Sequence, residues 1–490
     1  MNGLTPRRET IWKCSFVIVL LSMLVLFKNN GHAGDDIPIK TSQLDLVNLH
    51  RIVGGGTTPE AVAYPGVWGL KTIATRRLRL INVDGNLNRI LPDGSLDIRW
   101  SKHLRDGLQL CKDNGWIPRI IIGQTLPSAL EMERVGGGKY GPSSWVIYDN
   151  YVATLLKYVI DEWGFMESEW EVGNEMNTPS ENWVAKKKPE GPLDMEGFSA
   201  YMKLYAHIAK SVEKVRGEYP HVTIKVGGPA ISPPGYLEED ETRNWVLRFV
   251  DKVAVERLPC DFVSVHIYGN GSTGAETFHA LNRLRQHIAL RQVSAQISVS
   301  EWGVSWRSDR EVNFGPISGA FVFEFVRIIG HAKISDAIFL ALSEFRDQKW
   351  PVLYDLNGAP THAMKAMQLL SSLNGLVLQC ETGLVQVSCL AVQSPSSSIN
   401  VLVWYIDWWH DKIETVPWNR PVKNVSISVS GIRGSDYVRS VARIISHSSN
   451  ENYPRAIGEV VATEAWPVRF GGLSLGYGDY VHLTVTGIER

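Results

Sequence analysis

Cysteine is scarce in this chain, with 5 residues among 490. That is too few for a disulfide scaffold, and no Cys/His cluster has zinc-ligand spacing. An excess of one charge is also lacking. Lys+Arg number 50 and Asp+Glu 51, for a formal net charge of −1, so composition offers neither a basic face for nucleic acid nor an acidic tail. No glycine-rich phosphate loop follows the first strand pattern, which argues against a nucleotide cofactor. No internal repeat is present.

Long apolar runs are missing but for one, at 14–27, interrupted only by Ser15 and Ser22. Arg7 and Arg8 precede it, and the small residues of Gly31-His32-Ala33 follow. A basic start, a short apolar run and small residues read as a cleaved signal peptide over 1–33. The run is short for a bilayer span of about 20 residues. The expectation is a secreted or periplasmic protein. In the other reading Ile11 and Trp12 lengthen the run into an uncleaved anchor, and only then is a membrane a partner. In an exported chain Cys380 and Cys389, which flank a hairpin pattern at Glu381-Thr382-Gly383, could pair, although buried free thiols are the expected state. Asn270-Gly271-Ser272 is a glycosylation acceptor pattern.

Short β-branched runs bounded by turn residues recur at 77–82, 118–122, 168–172, 222–226, 261–267, 296–300 and 337–342. Buried parallel strands read this way. Helical patterns lie between them at 148–163, 194–216 and 275–289. In the second, Phe198, Met202, Tyr205, Ala209, Val212 and Val215 recur at helical spacing. Repeated β then α predicts a (β/α)₈ barrel over 34–371, with a doubly wound open sheet as the alternative. After about residue 372 the helices stop. Strand-like runs at 376–379, 384–387, 399–405, 425–429 and 480–485 predict a C-terminal β-sandwich over 372–490.

Two strand ends carry the chemistry. Trp170-Glu171-Val172-Gly173-Asn174-Glu175 closes the fourth strand of the count, and Ser298-Val299-Ser300-Glu301-Trp302 closes the seventh. In a barrel of this kind functional groups lie at the carboxyl ends of the strands. Glu175 and Glu301 therefore face one mouth. Two carboxyls there can cleave a glycosidic bond, one giving a proton and the other attacking the sugar. Read singly, a glutamate closing a strand is a solvated cap.

These segments resemble glycoside hydrolase family 39, the β-xylosidase and α-L-iduronidase group within the clan A retaining barrel glycosidases. Trp170 with the Asn174-Glu175 pair resembles the acid/base segment. Gly227-Gly228-Pro229 resembles the loop after the fifth strand, and Asp261-Phe262-Val263-Ser264-Val265-His266-Ile267-Tyr268 the sixth strand. Ser300-Glu301-Trp302 resembles the nucleophile segment, and Asn357-Gly358-Ala359-Pro360 the closing turn. The ordered set, over about 55–375, selects the family.

The resemblance implies an oligosaccharide or polysaccharide substrate, with Glu175 as general acid/base and Glu301 as nucleophile. It places Asn174 on the sugar 2-hydroxyl, Arg79 and Tyr268 on Glu301, and His266 against the sugar. Trp302 would be a floor under a sugar ring. It requires no cofactor and no metal. The chain departs from the family at the eighth strand, where a Trp is usual and Leu342-Ser343-Glu344-Phe345-Arg346 stands instead. A charged group there suggests a more polar or more substituted sugar, with Glu344 as a substrate-binding residue. A non-catalytic carbohydrate-binding or cell-surface protein on the same scaffold is the alternative.

Overall fold

The computed structural model describes residues 54–57, 76–81 and most of 102–487, outside 125–131, 179–194, 307–309, 342–349, 414–422, 431–439, 448–454, 463–467 and isolated positions. These elements lie in one compact unit, Thr41–Arg490. Residues 1–33, where a signal peptide is expected, lie outside the described residues.

Eight parallel strands close a barrel: β1 (Gly54–Thr57), β2 (Arg77–Leu80), β3 (Ile117–Ile122), β6 (Glu167–Val172), β7 (Thr223–Ile231), β8 (Phe262–Tyr268), β9 (Gln296–Gly303) and β10 (Asp336–Phe339). The barrel of the sequence reading is thus borne out, and the open doubly wound sheet is not. A short antiparallel hairpin, β4 (Met132–Gly136) and β5 (Lys139–Pro142), interrupts the count between β3 and β6. Sequence reading did not find it, nor the four-residue β1.

Alternation along the strands divides two environments. Leu78, Leu80, Ile120, Ile122, Trp170, Val172, Val263, Val265 and Val299 point outward and are buried under the helices. Arg79, Arg119, Glu169, Glu171, Ser298, Ser300 and Asp336 are buried too, and they point inward. The barrel interior is therefore ionic where branched apolar residues are usual. Its lower layer is a closed network. Arg119 pairs with Glu169 at 2.6 Å and with Asp336 at 3.0 Å, while Arg77 adds a bond to Glu169 at 3.0 Å. Buried charge survives there because each ion is matched and hydrogen-bonded.

The helices follow the expected places. Trp145–Asp161 is capped by Ser144, and Gly274–Leu290 opens with a Thr273/Glu276 capping box. Met195–Glu218 completes the match to the sequence patterns, and a further helix, His362–Ser372, follows the closing turn. Among the described residues no helix is long and apolar enough to cross a membrane.

The antiparallel part starts at β11 (Leu376–Glu381) and continues through β12 (Val387–Gln393), β13 (Ile399–Tyr405), β14 (Lys423–Ser430), β15 (Ser440–His447), β16 (Arg455–Ala462), β17 (Val468–Leu475) and β18 (Tyr480–Gly487). The sequence run at 384–387 is mostly the turn before β12, and β15 to β17 were not read as strands. Strand β13 pairs with β12 and β18 and is buried on both faces. Val401, Val403 and Tyr405 enter the sheet's own core. Leu402 and Trp404 join the barrel core instead, and the Trp404 indole donates to Glu324 of helix Pro316–His331 at 3.0 Å. Cys380 and Cys389 form a disulfide across β11 and β12, with Cα atoms 5.9 Å apart. This corrects the expectation of free thiols: β11 and β12 pair antiparallel through Leu378 and Ala391, and that register, carried two residues further on each strand, brings the two cysteines together.

Candidate active site

The chain rises out of β6 through an unusual backbone. Gly173 has φ +80°, and a Cβ there would meet Met176 Cγ at 2.6 Å, so only glycine suits the turn. Glu175 itself has φ +49°, a left-handed conformation that costs a non-glycine residue on the order of 1–3 kcal/mol. Two bonds hold it. The Glu175 N–H donates to Ala230 O at 2.8 Å, and the Ala230 N–H donates to Ser264 Oγ at 3.0 Å. Ala230 is left-handed as well, at φ +54°. The turn aims the Glu175 carboxyl across the mouth toward β8 and β9.

Arg79 is the hub below. Its side chain is fully buried. Nη1 donates to Glu301 Oε2 at 2.8 Å, Nη2 donates to Asn174 Oδ1 at 2.7 Å, and Nε donates to Glu171 Oε2 at 2.6 Å. The other oxygen of Glu301 accepts a short bond from the Tyr268 hydroxyl. Burial, then the charges of Glu301 and Glu175, push Tyr268 well above the usual phenol range, so it remains a donor. Register places His266 beside Glu301 on adjacent strands.

His266 links the two carboxyls. Its Nε2 lies 3.3 Å from Arg79 Nη2, and its Nδ1 lies 2.9 Å from Glu175 Oε1 and 3.7 Å from Glu301 Oε2. A guanidinium can only donate. Nε2 must therefore present its lone pair, and the proton of a neutral ring sits on Nδ1 and is given to Glu175. Ligand atoms of Glu175, His266 and Glu301 all lie within 4.8 Å of one another. A metal ion there would need the Nδ1 lone pair, which Arg79 opposes by fixing the other tautomer.

The structure brings together Arg79, Asn174, Glu175, His266, Tyr268 and Glu301, all residues named from the sequence. Trp302 is a correction. Its ring is fully buried and stacks on Phe325 with centroids 3.8 Å apart and planes 2° apart. A register shift at Ser300 resets the alternation, so Glu301 points into the barrel and Trp302 points outward to the helices, and no face is left for a sugar. Glu344 and Arg346 lie outside the described residues. Asn270 is 6% exposed and accepts a bond from the Trp306 N–H at 3.3 Å, so it is a structural residue rather than an open glycosylation site.

One member of the network was missed. Glu171 is fully buried against Arg79. Burial works to raise its pKa, yet the positive charges of Arg79 and then Arg119 prevail and hold it below the ordinary carboxylate value. The signal was present in the sequence: charges alternate with apolar residues in Arg77-Leu78-Arg79-Leu80 and again in Glu169-Trp170-Glu171-Val172.

No family model matches the chain. A curated β-xylosidase from Caldicellulosiruptor saccharolyticus is 22% identical over 286 residues, covering 53% of this chain and 54% of that protein. The chain thus spans about half the length of this relative. A GH39 enzyme from Xanthomonas axonopodis pv. citri superposes with a TM-score of 0.65 at 14% identity, covering 91% of this chain and 97% of the other. A monomeric β-xylosidase from Caulobacter crescentus CB15 gives a TM-score of 0.65 at 16% identity, covering 89% and 96%. The two solved structures share the fold of this chain, and all three similarities are consistent with the resemblance to glycoside hydrolase family 39.

Proposed function

We propose that this chain, as a member of glycoside hydrolase family 39, is a retaining glycosidase that cleaves O-glycosidic bonds of an oligosaccharide or polysaccharide, in the manner of a β-xylosidase. The observation that carries the reading is the pair of carboxyls bridged by His266, Glu175 on one side of the mouth and Glu301 on the other. Their nearest oxygens lie within 4.8 Å. A gap of that size suits direct attack, for which carboxyls about 5–5.5 Å apart are typical, and leaves little room for an intervening water.

Glu301 attacks the anomeric carbon while Glu175 gives its proton to the leaving oxygen. Water then enters, Glu175 takes a proton from it, and the glycosyl ester on Glu301 is hydrolysed. Arg79 and Tyr268 donate to both oxygens of Glu301, which orients it for attack. The guanidinium also fixes Asn174 Oδ1, so the Asn174 amide N–H is turned to the sugar 2-hydroxyl. The sugar lies over His266. The opening of the chain, basic and then apolar, supports export through a signal peptide.

A screen of aryl glycosides, including aryl β-xylosides, tests the reading, with the anomer of the first product followed by NMR. Release of sugar with the starting anomeric configuration is expected. Inversion, or no turnover on any glycoside, overturns it.

A further inference from the structure

A single guanidinium stands between two buried carboxylates. Arg79 Nη1 meets Glu301 at 2.8 Å, and Arg79 Nε meets Glu171 at 2.6 Å. Arginine and a carboxylate left to themselves tend to close into a two-bond, fork-to-fork pair. Here that pair does not form with Glu301, which receives one N–H from Arg79 and its second bond from Tyr268. Nη2, the donor that would complete the pair, is given to Asn174 Oδ1 at 2.7 Å, and Glu171 holds the Nε edge that sets how the fork is turned.

Charge matching points the same way. Arg119 is the nearest other cation, but it pairs with Glu169 and Asp336, so Arg79 is the cation that Glu171 and Glu301 share. The other titratable groups acting on Glu171 are His266 from β8 and Tyr201 from helix Met195–Glu218, with the Ser300 hydroxyl beside it on β9. Burial keeps Tyr201 neutral.

We propose that Glu171 is a positioning residue for the glycosidase reaction. It holds the Nε edge of Arg79 so that Nη1 and Nη2 turn to Glu301 and Asn174, and it takes up part of the guanidinium charge so that Glu301 is not locked into a tight ion pair. This rests on the proposed function, since Glu301 is read as the nucleophile.

The test compares Glu171→Gln, which removes charge and keeps shape, with Glu171→Asp, which keeps charge and shortens reach. In Glu171→Gln both limbs of the kcat/KM pH profile should move to lower pH by about one unit, because a negative charge near both mouth carboxyls is gone. In Glu171→Asp the limbs should stay, while kcat falls about tenfold at little change in KM, because the fork is drawn back from Glu301. Limbs that do not move in a folded Glu171→Gln protein overturn the proposal, whatever happens to kcat, since a purely structural carboxylate would lower stability alone. Should Glu171→Gln not fold, Glu171→Asp decides, and wild-type kcat there overturns it. A wild-type protein that turns over no glycoside would sink the proposed function separately. Carbon-13 NMR titration of glutamate-labelled wild-type and Glu171→Gln protein then reads the same downward move without turnover, and unmoved mouth carboxyls overturn the charge-sharing role.

Discussion

His266 Nδ1 stands 2.9 Å from Glu175 Oε1, and the ring has no choice about which nitrogen carries the proton. Arg79 decides it from the far side, 3.3 Å from Nε2. The imidazole therefore reaches Glu175 as a donor. A donor to one carboxyl oxygen orients Glu175 and leaves the other oxygen for the acid proton. That suits a group which must first give a proton and then act as a base.

Replacing His266 with Phe, which keeps a ring and has no N–H, tests this linkage. The Glu175 carboxylate loses a buried donor. We expect kcat/KM to fall about 10²-fold, within the range typical of acid–base contributions. Wild-type kcat/KM would reject the linkage.

The two glutamates should separate by leaving group. Glu301→Gln should abolish turnover on every substrate, since no covalent intermediate can form. Glu175→Gln should spare substrates with good leaving groups and cripple those with poor ones, which need the proton. Azide should restore turnover to a Glu175→Gly variant and yield the glycosyl azide of retained configuration. Wild-type activity in Glu301→Gln would remove it from the role of nucleophile.

Trp302 separates two uses of an aromatic residue. Stacked on Phe325 and edge-on to Phe339, it is core. Trp302→Ala should cost about 3–5 kcal/mol of stability, seen as a large drop in Tm. KM of the protein that remains folded, measured at low temperature, should be near wild type. A rise in KM without loss of Tm would restore the sugar-platform role.

How much of this was legible in the sequence follows from periodicity. The barrel strands could be read because each pairs β-branched residues with turn residues, and the strand count then put Glu175 and Glu301 at one end. Arg79 came from the family resemblance, as did the roles of His266 and Tyr268, which alternate with Ile267 and so share one face of their strand. Trp302 went wrong because adjacency in sequence was taken for adjacency at the site, while a strand sends neighbours to opposite faces. Glu171 was passed over because a buried carboxylate is rare unless paired, and its partner lies 92 positions away on another strand. The disulfide was misjudged because spacing alone does not fix register. Strands β15 to β17 were missed because polar residues mask their short apolar alternation.

The disulfide gives a clean stability experiment. Cys380 and Cys389 are 9 residues apart, and closing a loop of that size stabilises by about 2–3 kcal/mol in the chain-entropy account. Cys389→Ala should lower Tm and leave kcat unchanged, because the bridge lies in the antiparallel sheet, away from the barrel mouth. An equal Tm with and without reductant would show that the bridge does not form in solution.

The lower ionic layer predicts a pH dependence of stability. Burial works to raise the Asp336 pKa, but Arg119 and then Arg77 hold it down, to about 2 against an ordinary 3.8. A carboxylate depressed in the folded state contributes stability that is fully present above its unfolded value and is lost as pH falls through the folded one. The window therefore runs from about pH 4 down to about pH 2, and the group's contribution is on the order of 2 kcal/mol. Other carboxyls titrate in the same range, so the readout is the difference between wild type and Asp336→Asn in urea unfolding at each pH. At pH 7 the variant should be less stable by about 3 kcal/mol, because a buried Arg119 keeps only Glu169. That gap should narrow as pH falls from about 4 to about 2, where Asp336 in the wild type becomes protonated. Turnover should persist, since Arg119 and Asp336 lie a layer below Arg79. A gap that stays constant across that window would mean the Asp336–Arg119 pair is not what stabilises the barrel floor.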